Sequence, residues 1–294
     1  MKGFRYYMID ISTLSELYHK GQKNIWNGKD YLQECLDKHG EIKLNTSPAE
    51  LAAIQNIFGI ILWGELAAWK ISSALAVHLD DNEARMAATS QAHDEARHFY
   101  VMHDYLSLIG EVPEDANEDA MEFLETISNA NNLPKMLLGM QMMVEPMALT
   151  LFKIVREKNI EPVLSDLLVM YEKDEARHVA LGTIYLPKLL EEMSVIQKAD
   201  LLIWQFLGYM KQFEMLRSLK GDFITLGIDP RKAYEAGRKK QVKAMETLSE
   251  GLGRDYPFMD EMLRFIDARA EIDFPKQPAK LLERVKNAFE AAVK

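Results

Sequence analysis

One pentapeptide, DEARH, occurs twice in this chain, at residues 94–98 and again 80 positions later at residues 174–178. Each copy has a further glutamate thirty residues upstream of its own glutamate, at Glu65 for the first copy and Glu145 for the second. A duplication of this kind predicts two structural units of the same build. Each unit would supply one glutamate from a first helix and a Glu-x-x-His pair from the next.

The spacing of these residues predicts where they meet in three dimensions. Apolar residues recur at helical spacing around both copies, and turn signals stand near residues 80 and 160. The two glutamates of a unit lie about 15 residues on either side of its turn, so at about 1.5 Å per residue they reach the same level of a helical hairpin. Positions i and i+3 share one helix face. Two such hairpins packed face to face would bring four carboxylates and two imidazoles into one layer of the core.

Four carboxylates buried in one layer need a source of positive charge. Even one unpaired buried charge is strongly destabilising, and two divalent cations would balance four carboxylates. Oxygen-rich coordination with one imidazole for each metal favours iron or manganese over metals that prefer thiolates. The predicted ligands are Glu65, Glu95, His98, Glu145, Glu175 and His178.

A single Glu-x-x-His carries little information, and the chain contains a third copy that shows this. Glu16 and His19 have the same spacing but lack the Asp and Arg context and the upstream glutamate, so we expect an ordinary surface. Surface ion pairing is the alternative interpretation of DEARH itself. It does not explain Glu65 and Glu145, which interrupt strongly apolar helix faces.

The aspartate and arginine of each motif are candidates for a second layer around the site. A metal-bound histidine donates its other N–H to a carboxylate, which fixes the ring. We expect Asp94 to serve His178 across the helix interface and Asp174 to serve His98, with the arginines holding both aspartates; surface ion pairs are the alternative for the arginines. The residues of this layer are Asp94, Arg97, Asp174 and Arg177.

The fold class predicted from the sequence is all-α. Only 15 glycines and 10 prolines occur in 294 residues, which indicates long helices joined by short connections. About eight helices are expected, four of them long, with a kink or an end at Pro187. The predicted helices cover residues 48–79, 82–108, 117–129, 134–158, 162–193, 194–220, 231–250 and 258–270. Before the first of these we expect one or two short helices.

A single domain is expected, with three parts. Residues 1–47 form an N-terminal extension, residues 48–193 form a dinuclear four-helix core, and residues 194–294 form C-terminal helices that pack on it. Ser47, Pro48 and Glu50 predict the start of the first long helix through a capping box.

Charge and cysteine content exclude several classes of protein. A net charge of −10 offers no cationic surface for phosphates, so we expect no nucleic-acid partner. The single cysteine, Cys35, excludes an internal disulfide and a cysteine-rich metal site. The N-terminal residues do not resemble a signal peptide, and the most apolar stretch contains Glu65 and is too short to span a bilayer. A cytoplasmic protein with no membrane partner is the expectation.

With these motifs, the chain resembles the ferritin-like di-iron carboxylate superfamily. The likeness is greatest to its oxygen-activating branch, which includes bacterial multicomponent monooxygenase hydroxylases and the ribonucleotide reductase small subunit, and it covers about residues 48–193. The resemblance implies a ferritin-like four-helix bundle with additional N- and C-terminal helices. It also implies one iron at Glu65, Glu95 and His98, a second at Glu145, Glu175 and His178, and bridging roles for Glu95 and Glu175.

The chain departs from both named groups. The reductase radical tyrosine would fall four residues after the first ligand histidine, where this chain has Met102. Bacterial hydroxylases carry a threonine four residues after the third glutamate, where this chain has Leu149, with Thr150 next to it. The sequence therefore indicates the superfamily and not one of its members.

The resemblance implies an O2-dependent oxygenase or oxidase, for instance a monooxygenase. It would hold two iron ions, or manganese and iron, use O2 as co-substrate, and oxidise or hydroxylate a small apolar molecule. A ferroxidase or iron-handling protein and a non-catalytic metal-binding bundle are the alternatives. A reductase or ferredoxin-type electron donor and a homodimer are the expected partners.

Two further surfaces are predicted from the sequence. Apolar residues near the upstream glutamates are candidates for the substrate pocket, with plain core packing as the alternative: Leu66, Trp69, Met142, Met143, Ala148, Leu149 and Phe152. A basic amphipathic helix over residues 229–250 is a candidate docking surface for an acidic electron-transfer partner, and a solvated face is the alternative. Its basic residues are Arg231, Lys232, Arg238, Lys239, Lys240 and Lys243.

Overall fold

A computed structural model describes residues 12–40, 47–252 and 257–293 of the chain. These residues form thirteen α-helices and one π-helical segment, and they contain no β-strand. The all-α prediction is therefore confirmed. The N-terminal residues 1–11, on which the expectation about a signal peptide depends, lie outside the described part.

Two long hairpins form the core of the molecule. Short helices α1 and α2 precede them, and the smaller helices α5 and α6 join the first hairpin to the second. The elements from the N-terminus through the second hairpin are α1 (Ser12–Lys23), α2 (Gly28–His39), α3 (Pro48–His78), α4 (Asn82–Ile109), α5 (Glu118–Ser128), α6 (Leu133–Gly139), a π-helical segment (Met140–Val144), α7 (Glu145–Lys158) and α8 (Pro162–Glu192).

The C-terminal third adds five helices to this core. They are α9 (Val195–Ser218), α10 (Lys220–Thr225), α11 (Pro230–Leu252), α12 (Pro257–Asp273) and α13 (Leu281–Val293). Helix α9 packs on α5 and α6, α10 packs on α3, and α11 packs on α7 and α8. Helix α13 packs on α12.

Local sequence signals set the ends of the long helices. Ser47 and Glu50 form a reciprocal capping box at the start of α3, with Pro48 in the first turn, as the sequence predicts. The second hairpin turns at Asn159, whose φ of 47° and ψ of 47° place it in the left-handed region that ends many helices. Both predicted turns, near residues 80 and 160, are present.

The helix predicted over residues 134–158 contains a π-helical segment that helical periodicity does not reveal. The N–H of Glu145 bonds to the carbonyl of Met140, five residues back, and Pro146 follows directly. Because Pro146 has no N–H, the α-helical bond to the carbonyl of Met142 cannot form. Short π-helical turns of this kind occur often at functional sites.

The helix predicted over residues 162–193 is present as α8, which runs through Pro187 to Glu192, so of the predicted kink or end at that proline the end is not observed. Two features of the C-terminal third differ from the prediction. Helix α13, over Leu281–Val293, was not predicted, although its apolar residues recur at helical spacing. The predicted break over residues 221–230 contains the short helix α10.

Two helical stretches, Pro48–His78 and Leu133–Lys158, are long and apolar enough to cross a membrane by length and composition alone. Within their most apolar windows, 61% and 72% of the residues are buried inside the protein. Buried core helices of a soluble bundle satisfy the same length and composition test, so these stretches are weak evidence for a membrane span.

Gly182 on α8 packs closely against the π-helical segment. A Cβ at this position would lie 2.5 Å from the Cβ of Gln141, whereas a Cβ at Gly221 would meet nothing within 4 Å. We therefore expect Gly182→Ala to lower the free energy of unfolding by about 1–3 kcal/mol through overpacking. Gly221→Ala is the control, and it should raise stability slightly or leave it unchanged. Urea denaturation followed by circular dichroism measures both, and equal stability of the two variants would contradict the close packing.

Candidate dinuclear metal centre

The six predicted ligand residues lie together in one layer of the core. Four helices supply them: Glu65 comes from α3, Glu95 and His98 from α4, Glu145 from α7, and Glu175 and His178 from α8. Each of the six is at most 5% exposed. The equal distances from the two hairpin turns therefore bring the residues to one level, as the spacing predicts.

The six residues form two overlapping groups. One group is Glu65, Glu95, His98 and Glu175, the other is Glu95, Glu145, Glu175 and His178, and within each group one ligand atom per residue lies within 4.8 Å of all the others. Glu95 and Glu175 belong to both groups. This arrangement suits two cations that share two bridging carboxylates.

The Nδ1 atom of each histidine faces the carboxylates. His98 Nδ1 lies 3.3 Å from Glu65 Oε2 and 3.3 Å from Glu175 Oε1. His178 Nδ1 lies 3.0 Å from Glu95 Oε1 and 3.2 Å from Glu145 Oε2. Ligand atoms about 2.1 Å from an octahedral cation are themselves separated by about 3 Å, so this spacing is compatible with one ion shared by these atoms.

The Nε2 atoms of the same histidines face two aspartates on the opposite helices. His98 Nε2 lies 3.1 Å from Asp174 Oδ2, and His178 Nε2 lies 3.4 Å from Asp94 Oδ2. Each aspartate therefore faces the histidine of the other motif, as the sequence analysis expects. A carboxylate in this position fixes the ring orientation and leaves Nδ1 to the metal.

Two arginines bridge the two aspartates. Arg97 Nη2 donates to Asp94 Oδ1 at 2.6 Å and to Asp174 Oδ2 at 2.8 Å. Arg177 Nη2 donates to Asp94 Oδ2 at 2.7 Å, and its Nη1 lies 2.8 Å from Asp174 Oδ1. The structure thus places these arginines in buried or partly buried ion pairs that join the two motifs.

Trp26 completes this polar layer, and the sequence analysis missed it. Its indole Nε1 donates to Asp174 Oδ2 at 2.8 Å, and the Arg97 guanidinium lies 4.7 Å from the centre of its ring. Trp26 precedes α2, in the part of the chain taken as an N-terminal extension. No motif or spacing connects it to the repeats, so the sequence contains no signal for this contact.

Gln91 is a second residue that sequence reasoning missed. It lies one helical turn before Glu95, and its Nε2 donates to Glu95 Oε1 at 3.0 Å and to Glu145 Oε1 at 2.6 Å. Gln141, in the π-helical segment, donates to Gln91 Oε1 at 3.2 Å. These amides hold one oxygen of each glutamate and leave the other oxygen available to a ligand.

Three buried atoms at the centre have no hydrogen-bond partner within the described part of the chain. They are Glu95 Oε2, His98 Nδ1 and Glu145 Oε2. Unsatisfied buried polar atoms are costly, and these three belong to residues of the two groups that could each hold a cation. The donor set and the unpartnered atoms together fit two cations of the iron or manganese type.

Burial and neighbouring charges shift the pKa values of the candidate ligands, and a metal ion that binds must displace the protons that these groups hold. Burial raises the pKa of Glu65 and of Glu145 well above the usual range of a glutamate. Burial also acts against Glu175, but the contacts from Glu145 and His178 hold the pKa of that carboxyl below its usual range. Burial would lower the pKa of His98, yet the surrounding carboxylates raise it well above its usual value. Protons therefore supply part of the positive charge that cations would bring.

An apolar cavity of about 30 Å³, here called the inner cavity, borders the carboxylate side of the cluster. Four of the six residues line it: Glu65, Glu95, Glu145 and Glu175. A larger cavity of about 80 Å³, here called the middle cavity, shares lining residues with it, namely Ile60, Ile61, Met147, Ala148 and Met215. The two cavities thus adjoin each other along one side of the metal centre.

The structure brings few of the residues predicted for the substrate pocket to either of these two cavities. Of the seven residues, Ala148 alone lines these two cavities, and Trp69 is 40% exposed at the surface. Leu66 and Leu149 fall on the opposite helix faces from the cavity-lining residues, because neighbours in sequence are turned away from each other on a helix. Met142, Met143 and Phe152 are buried core residues that line neither cavity.

The third Glu-x-x-His copy lies at the surface, as expected, since both Glu16 and His19 are exposed. The basic helix is less uniform than predicted. Arg231 bonds to Glu235 and Glu271, and Arg238 bonds to Asp267, so these two guanidinium groups face neighbouring helices. The side chain of Lys243 lies outside the described part of the chain.

Comparison with known proteins finds similarity in structure only. No protein-family model matches the chain, and no curated protein matches its sequence. Among solved structures, a variant of an R2-like ligand-binding oxidase with an aerobically reconstituted Mn/Fe cofactor has a TM-score of 0.65 at 19% identity, over 84% of this chain and 99% of that chain. Another variant of an R2-like ligand-binding oxidase, with an Fe/Fe cofactor, has a TM-score of 0.65 at 18% identity, over 84% of this chain and 98% of that chain.

A third similar structure is a Synechococcus protein with aldehyde deformylating oxidase activity. Its TM-score is 0.61 at 17% identity, over 76% of this chain and 98% of that chain. Together these similarities show a ferritin-like fold with additional helices, which confirms the predicted architecture.

We expect the metal centre to depend on the upstream glutamates. The double variant Glu65→Ala, Glu145→Ala removes one carboxylate from each group, so it should lose most of the two metal ions bound per chain. Elemental analysis after metal loading measures this, with circular dichroism to check the fold. The control is Glu16→Ala, His19→Ala, which alters the surface copy and should keep both ions. A double variant that keeps its metal and its fold would contradict the site.

Metal binding should release protons. Burial raises the pKa of Glu65 and of Glu145, so these carboxyls keep their protons to higher pH than free glutamates do, and a cation must displace those protons. The apparent affinity for Mn²⁺ should therefore rise as the pH is increased through the raised pKa values. Calorimetric titration in two buffers of different ionisation enthalpy counts the protons. A heat of binding that is the same in both buffers would show that none is released.

Proposed function

We propose that this protein is an O2-dependent oxidoreductase that oxidises or hydroxylates a small apolar molecule at a dinuclear iron or manganese/iron centre. The observation that carries the proposal is the position of the inner cavity, an apolar space lined by four of the candidate ligands. An iron-storage site has no need of an apolar chamber beside its ligands, and a purely structural metal site is normally closed on all sides.

The residues around the centre have separable tasks. The glutamates and histidines would hold the two ions, with Glu95 and Glu175 between them. The aspartates and arginines fix the histidine rings through Nε2 and keep the charge of that layer balanced. Apolar side chains such as Ile61 and Ala148 exclude water from the side on which a substrate would approach.

When bound, a reduced dinuclear centre supplies the electrons that activate O2. Because those electrons must be replaced in each cycle, the proposal includes an external donor of the reductase or ferredoxin type. The similar solved structures are described as oxidases with Mn/Fe or Fe/Fe cofactors or with aldehyde deformylating activity, which supports oxidase chemistry for this chain. A cytoplasmic location and a homodimer are further parts of the proposal.

The test starts from protein purified without added metal and then loaded with Fe²⁺ under anaerobic conditions. On exposure to O2, an oxygen electrode should record consumption of about one O2 per dinuclear site, and the Glu65→Ala, Glu145→Ala variant should consume none. The Glu16→Ala, His19→Ala protein is the matched control and should behave as the original chain does. Continued uptake of iron into a mineral core would indicate storage instead, and metal binding without O2 consumption would indicate a structural role.

A further inference from the structure

Three adjoining cavities, each sharing lining residues with the next, lie between the protein surface and the candidate metal centre. A surface groove between α11, α12 and α13, here called the outer groove, shares Tyr234 and Arg238 with the middle cavity. The middle cavity in turn shares five apolar residues with the inner cavity. Tyr234 and Arg238 therefore stand between a polar groove and an apolar interior that reaches the candidate ligands.

Arg238 is held at this boundary in a fixed orientation. Its Nε and Nη2 donate to the two carboxylate oxygens of Asp267, both at 2.9 Å, and the Tyr234 hydroxyl donates to the same carboxylate. The side chain of Arg238 is 16% exposed. Tyr234 and Arg238 are four residues apart on α11 and so lie on one face of that helix.

One edge of the guanidinium has no partner. Arg238 Nη1 is buried and lacks a hydrogen-bond acceptor in the described part of the chain. A guanidinium can bind one carboxylate along its Nε–Nη2 edge and a second along its Nη1–Nη2 edge, because its five N–H groups point in fixed directions. Asp267 takes the first edge, and the second remains available for an oxygen acceptor from a ligand.

The charge of the outer groove indicates the kind of acceptor. Five basic side chains line it against four acidic ones. The basic residues are Arg231, Arg238, Lys239, Arg264 and Lys276. Beyond Arg238 the middle cavity is lined mostly by aliphatic and aromatic side chains. A ligand that matches both regions has a negatively charged end and an apolar body.

We propose that this series of cavities binds an amphipathic carboxylate with its acidic end at Arg238 and its apolar end towards the metal centre. The proposal rests on the proposed function for its biological meaning, and it assigns the substrate class and the orientation of that same site. Arg238 acts as a specificity-determining residue at the mouth of the path, away from the candidate metal ligands.

Binding of octanoate and of 1-octanol to the full-length, metal-loaded protein under anaerobic conditions tests this assignment by calorimetry. Arg238→Gln should weaken octanoate binding about tenfold, the usual effect of losing a charged hydrogen bond, and leave 1-octanol within about twofold. Arg156→Gln is the matched control, because Arg156 forms a similar two-point ion pair with Glu172 but lines none of these cavities. It should change neither affinity.

The variant Asp267→Asn should change the affinity for octanoate in the opposite direction. It keeps Arg238 but removes the charge that neutralises it, so octanoate binding should become tighter. A general loss of structure cannot weaken binding in one variant and strengthen it in the other. Equal losses of octanoate and 1-octanol binding in Arg238→Gln would overturn the proposal, as would the absence of octanoate binding to the original chain.

Orientation is tested with Mn²⁺-loaded protein and two fluorinated octanoates observed by ¹⁹F NMR. Fluorine at the terminal carbon should relax faster than fluorine beside the carboxylate, because the apolar end lies nearer the paramagnetic ions. The reverse order, or octanoate binding that depends on the metal and not on Arg238, would place the carboxylate at the metal centre and overturn the proposal. Because the calorimetry measures binding without turnover, it gives its result whether or not the protein proves to be an oxidase.

Discussion

The burial of four glutamates around two histidines is the constraint on which the rest of this structure depends. None of the six side chains is more than 5% exposed, and the second layer cannot neutralise them because it is already balanced: Asp94 and Asp174 pair with Arg97 and Arg177. The ligand layer must therefore find its positive charge elsewhere, in cations or in protons. Both copies of the motif contribute to this one layer, because each of the two groups that could hold a cation contains residues from both hairpins.

The grouping of the six side chains and the histidine–aspartate contacts could be predicted because they depend on distances along straight helices. Glu65 and Glu95 lie at equal distances from one turn, and a helix converts that spacing into a common level with little room for error. The aspartate pairing followed from the same geometry, since an aspartate on a facing helix reaches a histidine Nε2 more directly than one on its own helix. Trp26 and Gln91 could not be found this way, because their contacts depend on the docking of a loop and on one side-chain rotamer.

The residues predicted for the substrate pocket and those that line the inner cavity differ for a related physical reason. The predicted residues were chosen as neighbours of the ligands in sequence, but a helix turns neighbouring residues to different faces. Ile60, Ile61, Gly64 and Ala68 accompany Glu65 along the inner cavity, whereas Leu66 lies opposite. On the second hairpin the π-helical turn shifts the register just before Glu145, with Pro146 directly after that residue, and no regular periodicity describes this shift. The spacing along the sequence predicts which layer of the bundle a residue occupies. Local helix geometry determines whether its side chain faces the inner cavity.

The histidine side and the carboxylate side of the candidate metal centre differ, and the helices outside the four-helix core account for this difference. The histidine side is closed by a polar layer that includes Trp26, which the N-terminal helices bring into place. The carboxylate side opens into apolar cavities whose outer walls come from the C-terminal third, through residues such as Met215, Phe223 and Tyr234. A four-helix core alone would leave this second side exposed to water. The helices on either side of the core therefore enclose the candidate ligands on the histidine side and line apolar cavities on the carboxylate side, an arrangement that suits the proposed oxidation of an apolar molecule better than iron storage.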